Sequence, residues 1–210
     1  RFVPAVKARL KTKYVQIASV AAGFPASQTL PEIKEAEVKA AVEAGASEID
    51  VVMTPGLMLA GKYEEAYEEI RKIREAAGDQ HLKVILETGA LENAPLIYKA
   101  SLLAMEAGAD FIKTSTGKEF PGASPFAAYV MTLAIRDYYA KRRRMVGLKP
   151  AGGISRPEQV TDYVVIVAQI LGKQWLSKDY FRIGASRLAN GILNRIIQTD
   201  LDDAQARNYF

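Results

Sequence analysis

The chain has 210 residues, 49% of them hydrophobic, enough to bury the core of one domain, and its 25% charged content points away from disorder and from a membrane protein. Zero cysteines exclude a disulfide framework, thiolate metal sites and cysteine nucleophiles, and fit a reducing, cytoplasmic setting. A net charge of +4 is too mild to imply a nucleic-acid partner, and no apolar run approaches the roughly 20 residues that span a bilayer.

Residues 1–10 read as a helix that feeds a first apolar strand at 15–21. Strands then recur at 49–53, 82–86, 111–113, 146–149 and 181–183, with helical periodicity between them at 33–44, 63–77, 95–107, 126–140 and 157–171. A last helix is expected over 186–198. Two stop signals repeat, Glu43-Ala44-Gly45-Ala46 and Glu106-Ala107-Gly108-Ala109, each placing Gly just past a final helical turn and shortly before a strand. The basic run Lys141-Arg142-Arg143-Arg144 falls at a helix end, where cations complement the macrodipole.

Continuous apolar strands alternating with helices predict a parallel sheet covered on both faces. Six strands are visible where a closed (β/α)8 barrel needs eight, so the pattern is either an open doubly wound sheet or a barrel lacking two βα units. No GxGxxG follows any strand, which removes support for a dinucleotide fold. No linker or composition shift marks a second domain, so residues 1–210 are expected to form one. The chain opens on Arg1 with neither methionine nor a signal-peptide pattern, and is expected to be N-terminally incomplete.

Two strands run apolar until their last residue and then present an ammonium group: Lys113 in Phe111-Ile112-Lys113 and Lys149 in Gly147-Leu148-Lys149. In a parallel sheet both amines fall at the same end. Each disfavours the other's charge, and that is one way a lysine becomes a nucleophilic amine. Strand alternation puts Asp50, within Ile49-Asp50-Val51, on the face opposite its aliphatic neighbours, as it does for both lysines. Asp50, Lys113 and Lys149 are therefore expected to converge near the carboxyl ends of the strands, where barrel enzymes keep their sites.

The loops after three strands carry Thr116-Gly117-Lys118, Gly152-Gly153-Ile154-Ser155 and Gly184-Ala185-Ser186. Glycines permit close backbone approach and helix-start N–H groups bind phosphate, so these loops suggest an anionic substrate. Metal catalysis is poorly supported: His81 is the single histidine and sits at the start of a strand, opposite the expected site. A Ser-His-Asp triad fails for the same reason.

With these residues in hand, the chain resembles the deoxyribose-phosphate aldolase family over nearly its whole length. The most specific pieces are Glu48-Ile49-Asp50-Val51-Val52, Lys83-Val84-Ile85-Leu86-Glu87-Thr88-Gly89, the segments 111–118 and 146–153, and Phe181-Arg182-Ile183-Gly184-Ala185-Ser186. The resemblance implies a (β/α)8 TIM barrel, with its first two strands absent from this chain. It implies a class I aldolase needing neither metal nor cofactor, which reversibly cleaves 2-deoxy-D-ribose 5-phosphate to D-glyceraldehyde 3-phosphate and acetaldehyde. Lys113 would form the Schiff base, Lys149 would keep that amine reactive, and Asp50 would move protons. Thr116, Gly117, Lys118, Gly152, Gly153, Gly184, Ala185 and Ser186 would bind the phosphorylated sugar. A homodimer or homotetramer is implied as well. No role is assigned to Tyr209, the penultimate residue. The alternative is a catalytically impaired barrel homologue that acts as a binding or scaffold protein.

Overall fold

A computed structural model describes residues 1–12 and 14–200; Tyr209 lies outside the described residues. The chain order is α1 (Val3–Arg9), β1 (Ala18–Val20), α2 (Pro31–Glu43), β2 (Glu48–Val52), α3 (Pro55–Leu59), α4 (Tyr63–Ala77), β3 (His81–Ile85) and α5 (Thr88–Leu91). It continues with α6 (Ala94–Glu106), β4 (Phe111–Lys113), α7 (Pro125–Arg142), β5 (Gly147–Lys149), α8 (Pro157–Ile170), a 3-10 turn (Lys173–Trp175) and α9 (Leu188–Asp200). The five strands form one sheet in sequence order, every neighbour parallel. Parallel strands in sequence order with a helix in each crossover are a partial (β/α)8 barrel, so the barrel reading holds and the open doubly wound sheet does not.

Period-two alternation sorts the sheet into two faces. Ile49, Val51, Leu82, Val84, Ile112 and Leu148 point outward and join one apolar core with the helices, including Ile70 and Ile73 of α4, Ala100 and Ala104 of α6, Met131 and Ile135 of α7 and Val167 of α8. Each fully buried Val, Leu, Ile or Met side chain there contributes ~1.5–3 kcal/mol. The other face carries Glu48, Asp50, Lys83, Lys113 and Lys149, whose charged groups pair with one another. Gly45 and Gly108 take φ of 106° and 104°, the left-handed exit that both stop signals require.

Two expected strands are shorter or less regular than their sequences suggest. β1 covers only Ala18–Val20 because it pairs with β2 alone among the described residues, and Val15 and Val20 are exposed. The segment at 181–183 forms isolated bridges, Leu148 with Phe181 and Ala151 with Gly184, although its hydrogen bonds to Leu148 and Pro150 run as in a parallel strand. Both segments lie at edges of the described sheet, with ladder bonds to one neighbour only.

Two members of the basic run are tied to the end of α6. Arg142 pairs with Glu106 at 2.9 Å, and Arg144 donates to the carbonyls of Met105, Gly108 and Ala109 and to Asp110. It thus closes the carboxyl end of α6. A buried lysine, Lys34 on α2, ties the β1–α2 loop to the end of β2 through Ser27 (2.8 Å), Thr54 (3.0 Å) and Glu69 (2.5 Å). Among the described residues, no helix is long and apolar enough to cross a membrane.

Candidate active site

The register fixes how the charged residues meet. Asp50 lies beside Lys83 on the neighbouring strand, while Lys113 pairs with Ile85 and with Lys149 one pleat nearer the carboxyl end. Both lysines reach back to the same carboxylate oxygen: Lys113 Nζ is 3.0 Å and Lys149 Nζ 2.7 Å from Asp50 Oδ2. The three residues singled out from strand alternation are therefore brought together at hydrogen-bond distance.

Three further charged residues complete the cluster. Lys83 donates to Asp50 Oδ1 at 3.0 Å and lies 2.6 Å from Glu48 Oε2. Glu48 Oε1 in turn accepts from Arg182 at 3.1 Å, and the Arg182 guanidinium stands 5.6 Å from the centre of the Phe111 ring. Four cations thus surround two carboxylates, leaving an excess of positive charge. The sequence carried a signal for Lys83 and Glu48. Glu48 is two residues before Asp50 and so shares its face, and Lys83 interrupts an apolar strand. Arg182 had none, because its partner lies 134 residues away.

Exposure grades the three lysines. The side chain of Lys83 is 1% exposed, that of Lys113 8% and that of Lys149 16%. Lys83 is sealed beneath the site, whereas Lys113 and Lys149 open into a cavity of about 600 Å³. Thr116, Gly117, Lys118, Gly152, Gly153, Gly184, Ala185 and Ser186 line the same cavity. Every residue expected at the site except Asp50 borders this space, and Asp50 lies directly under it. His81 is exposed at the amino end of β3, away from the cavity, and among the described residues no three His, Cys, Asp or Glu side chains converge as metal ligands.

Electrostatics follow from this packing. Burial would raise the pKa of Asp50, but the charges of Lys83, Lys113 and Lys149 outweigh it and hold the carboxyl well below its ordinary range. Glu48 is lowered in the same way, burial being outweighed by Lys83 and Arg182. Lys149 is lowered: burial disfavours its charge most, Asp50 opposes the shift, and the nearby Lys113 cation adds to it. An amine held in this state releases a proton more readily than a surface lysine. The arrangement can present an amine to a carbonyl, give and take a proton through the Lys149 amine, and hold an anion against glycine-rich backbone.

A family model described as DeoC/LacD family aldolase matches residues 2–190. The chain belongs to the DeoC/LacD aldolase family. It is 49% identical over 182 residues to the human deoxyribose-phosphate aldolase, covering 87% of this chain and 57% of the human protein. It is 43% identical over 177 residues to a putative deoxyribose-phosphate aldolase of Caenorhabditis elegans, covering 84% of this chain and 58% of that one. The chain thus spans a little over half the length of these curated relatives. Among solved structures, a putative deoxyribose-phosphate aldolase from Coccidioides immitis superposes with a TM-score of 0.78 at 30% identity, over 95% of this chain and 70% of that one. The deoxyribose phosphate aldolase of Aeropyrum pernix, described as having a unique tetrameric structure, gives a TM-score of 0.65 at 28% identity, over 86% and 69% of the two chains.

Proposed function

We propose that the protein is a Schiff-base aldolase acting on 2-deoxy-D-ribose 5-phosphate. The observation that carries this reading is the pair of amines on one buried carboxylate oxygen, Lys113 and Lys149 on Asp50, opening into a glycine-lined cavity. Once the Lys113 ammonium has given up a proton, its nitrogen adds to the aldehyde carbon of the open-chain sugar, and loss of water from the carbinolamine leaves an iminium. Proton removal from the C3 hydroxyl then breaks the C2–C3 bond. The bonding electrons move into the iminium, giving an enamine, and D-glyceraldehyde 3-phosphate departs. Protonation of the enamine carbon and hydrolysis release acetaldehyde and restore the amine. Lys149, whose lowered pKa makes it a ready proton donor, supplies the proton path, and Asp50, ionised across the working range, accepts from both amines and holds them in line. The phosphate end is held by the loops at Thr116, Gly117 and Lys118, at Gly152 and Gly153, and at Gly184, Ala185 and Ser186. None of these steps calls on a metal or a cofactor. Assembly as a homodimer or homotetramer belongs to the same proposal and is measured by sedimentation.

Borohydride added to the protein with substrate or acetaldehyde traps the iminium as a stable secondary amine, and peptide mapping is expected to find the added mass on Lys113. Lys113→Ala is expected to abolish both the adduct and turnover. Normal turnover in that variant, or an adduct on another lysine, defeats the proposal.

A further inference from the structure

The stretch Glu87-Thr88-Gly89 closes β3, yet none of the steps above uses Glu87. Its backbone is left-handed, φ 52° and ψ 58°, a conformation that residues with side chains seldom adopt. On either side the ladder to β4 continues, with the N–H of Leu86 donating to Lys113 O and that of Thr88 to Thr114 O. Glu87 alone is turned out of register. Its side chain is buried, the residue being 2% exposed, and both carboxylate oxygens accept from the Thr116 N–H, at 3.2 and 3.3 Å.

Thr116 begins the Thr116-Gly117-Lys118 wall of the cavity. Its hydroxyl accepts from the Lys118 N–H at 3.2 Å, so anchoring Thr116 anchors the whole turn. On its other side the loop is held to β5 by neutral bonds: Thr114 and Ser115 hydroxyls donate to Ala151 O, and the Ala123 N–H reaches Ala151 O and Gly152 O. Past Thr114, the hold on the β3 side is the Glu87 carboxylate. An ionised acceptor makes a hydrogen bond roughly twice as strong as a neutral one. The charged groups near it are Lys113 on β4 and Glu119 in the loop. Burial pushes the Glu87 carboxyl up, with the Thr116 bonds and Lys113 opposing and Glu119 adding to the rise.

We infer that Glu87 is a positioning residue for the phosphate end of the substrate, holding the Thr116–Lys118 turn in its binding shape without touching the sugar. This rests on the aldolase reading above. Its strained backbone is then explained, because only the left-handed turn frees the carboxylate from the ladder to face Thr116.

Two variants separate the latch from the strain. Glu87→Gly accepts the same backbone dihedrals at no steric cost but has no carboxylate, whereas Glu87→Gln keeps an oxygen acceptor. Loss of one hydrogen bond corresponds to about a tenfold change in binding. Glu87→Gly is expected to raise KM for 2-deoxyribose 5-phosphate about tenfold with little change in kcat, and to leave kcat/KM for unphosphorylated 2-deoxyribose unaltered. Glu87→Gln, whose neutral oxygen is the weaker acceptor, is expected to restore part of the KM. Hydrogen exchange supplies a readout independent of turnover: the amides of 116–118 should exchange faster in Glu87→Gly than in the parent or in Glu87→Gln. Unchanged exchange, or a KM effect equal for both sugars, overturns the inference while the aldolase reading stands. A parent protein with no Lys113 adduct but with accelerated exchange in Glu87→Gly overturns the aldolase reading and supports the loop role.

Discussion

Lys83→Met tests the buried charge network most directly. The substitution keeps the length of the stem and removes the cation shared by Glu48 and Asp50, 2.6 and 3.0 Å from its nitrogen. Deleting one partner of a buried ion pair costs ~3–5 kcal/mol, since the charge left behind stays desolvated. Here each carboxylate keeps other cations, Arg182 for Glu48 and Lys113 with Lys149 for Asp50, so the lower end, ~3 kcal/mol, applies. For a chain of this size each kcal/mol moves Tm by about 2–4 °C, giving an expected drop of roughly 6–12 °C at neutral pH. The sign of the pH dependence is also fixed. The folded-state pKa of Asp50 lies below its ordinary value of 3.8, so its contribution is present above that value and lost as pH falls toward the folded one. Without Lys83 the Asp50 pKa moves back up and there is less to lose. Urea unfolding of both proteins at neutral pH and near pH 3 should therefore show a difference that shrinks on the acid side. A difference below ~1 kcal/mol at neutral pH, or one that grows with acid, would refute the argument.

Other perturbations probe the same framework. Asp50→Asn removes the anion that opposes the fall in the Lys149 pKa, so that pKa should drop further, and an upward shift of its resonance titration would contradict the assigned causes. A Cβ on Gly147 would stand 2.3 Å from the Phe111 ring, so Gly147→Ala should cost ~1–3 kcal/mol in urea unfolding by overpacking the inner face; an unchanged midpoint would mean that the ring has room to move. Arg144→Met strips donors from the carbonyls of Met105, Gly108 and Ala109 and is expected to cost ~1–3 kcal/mol, measured by thermal unfolding.

Much of the fold was legible because its signals are local. The turns at Gly45 and Gly108, the apolar runs of β2 to β5 and the periodicity of the helices between them fall where the sequence puts them. The two strands that come out shorter or less regular, at 15–21 and 181–183, are the ones with a neighbour on one side only in the described sheet, and pairing is not a property of the strand's own residues. At the site, Asp50, Lys113 and Lys149 were found from alternation together with their loops. Glu48 and Lys83 obey the same alternation but belong to motifs whose charged members had no assigned task, and Glu87 departs from it through its left-handed backbone.

The alternation of strands and helices, and the face on which Asp50, Lys113 and Lys149 would fall, follow from residue order alone. Side-chain direction is set by the backbone geometry of the residue itself, so a period of two suffices. The two strand-end lysines were visible on those terms. That both amines share one oxygen of Asp50, that Lys83 holds the other, and that Arg182 closes the network on Glu48 emerges from the packing of the strands in space. Ion pairing depends on distance through space and on the exclusion of water, and both are fixed by strand register and burial rather than by spacing along the chain.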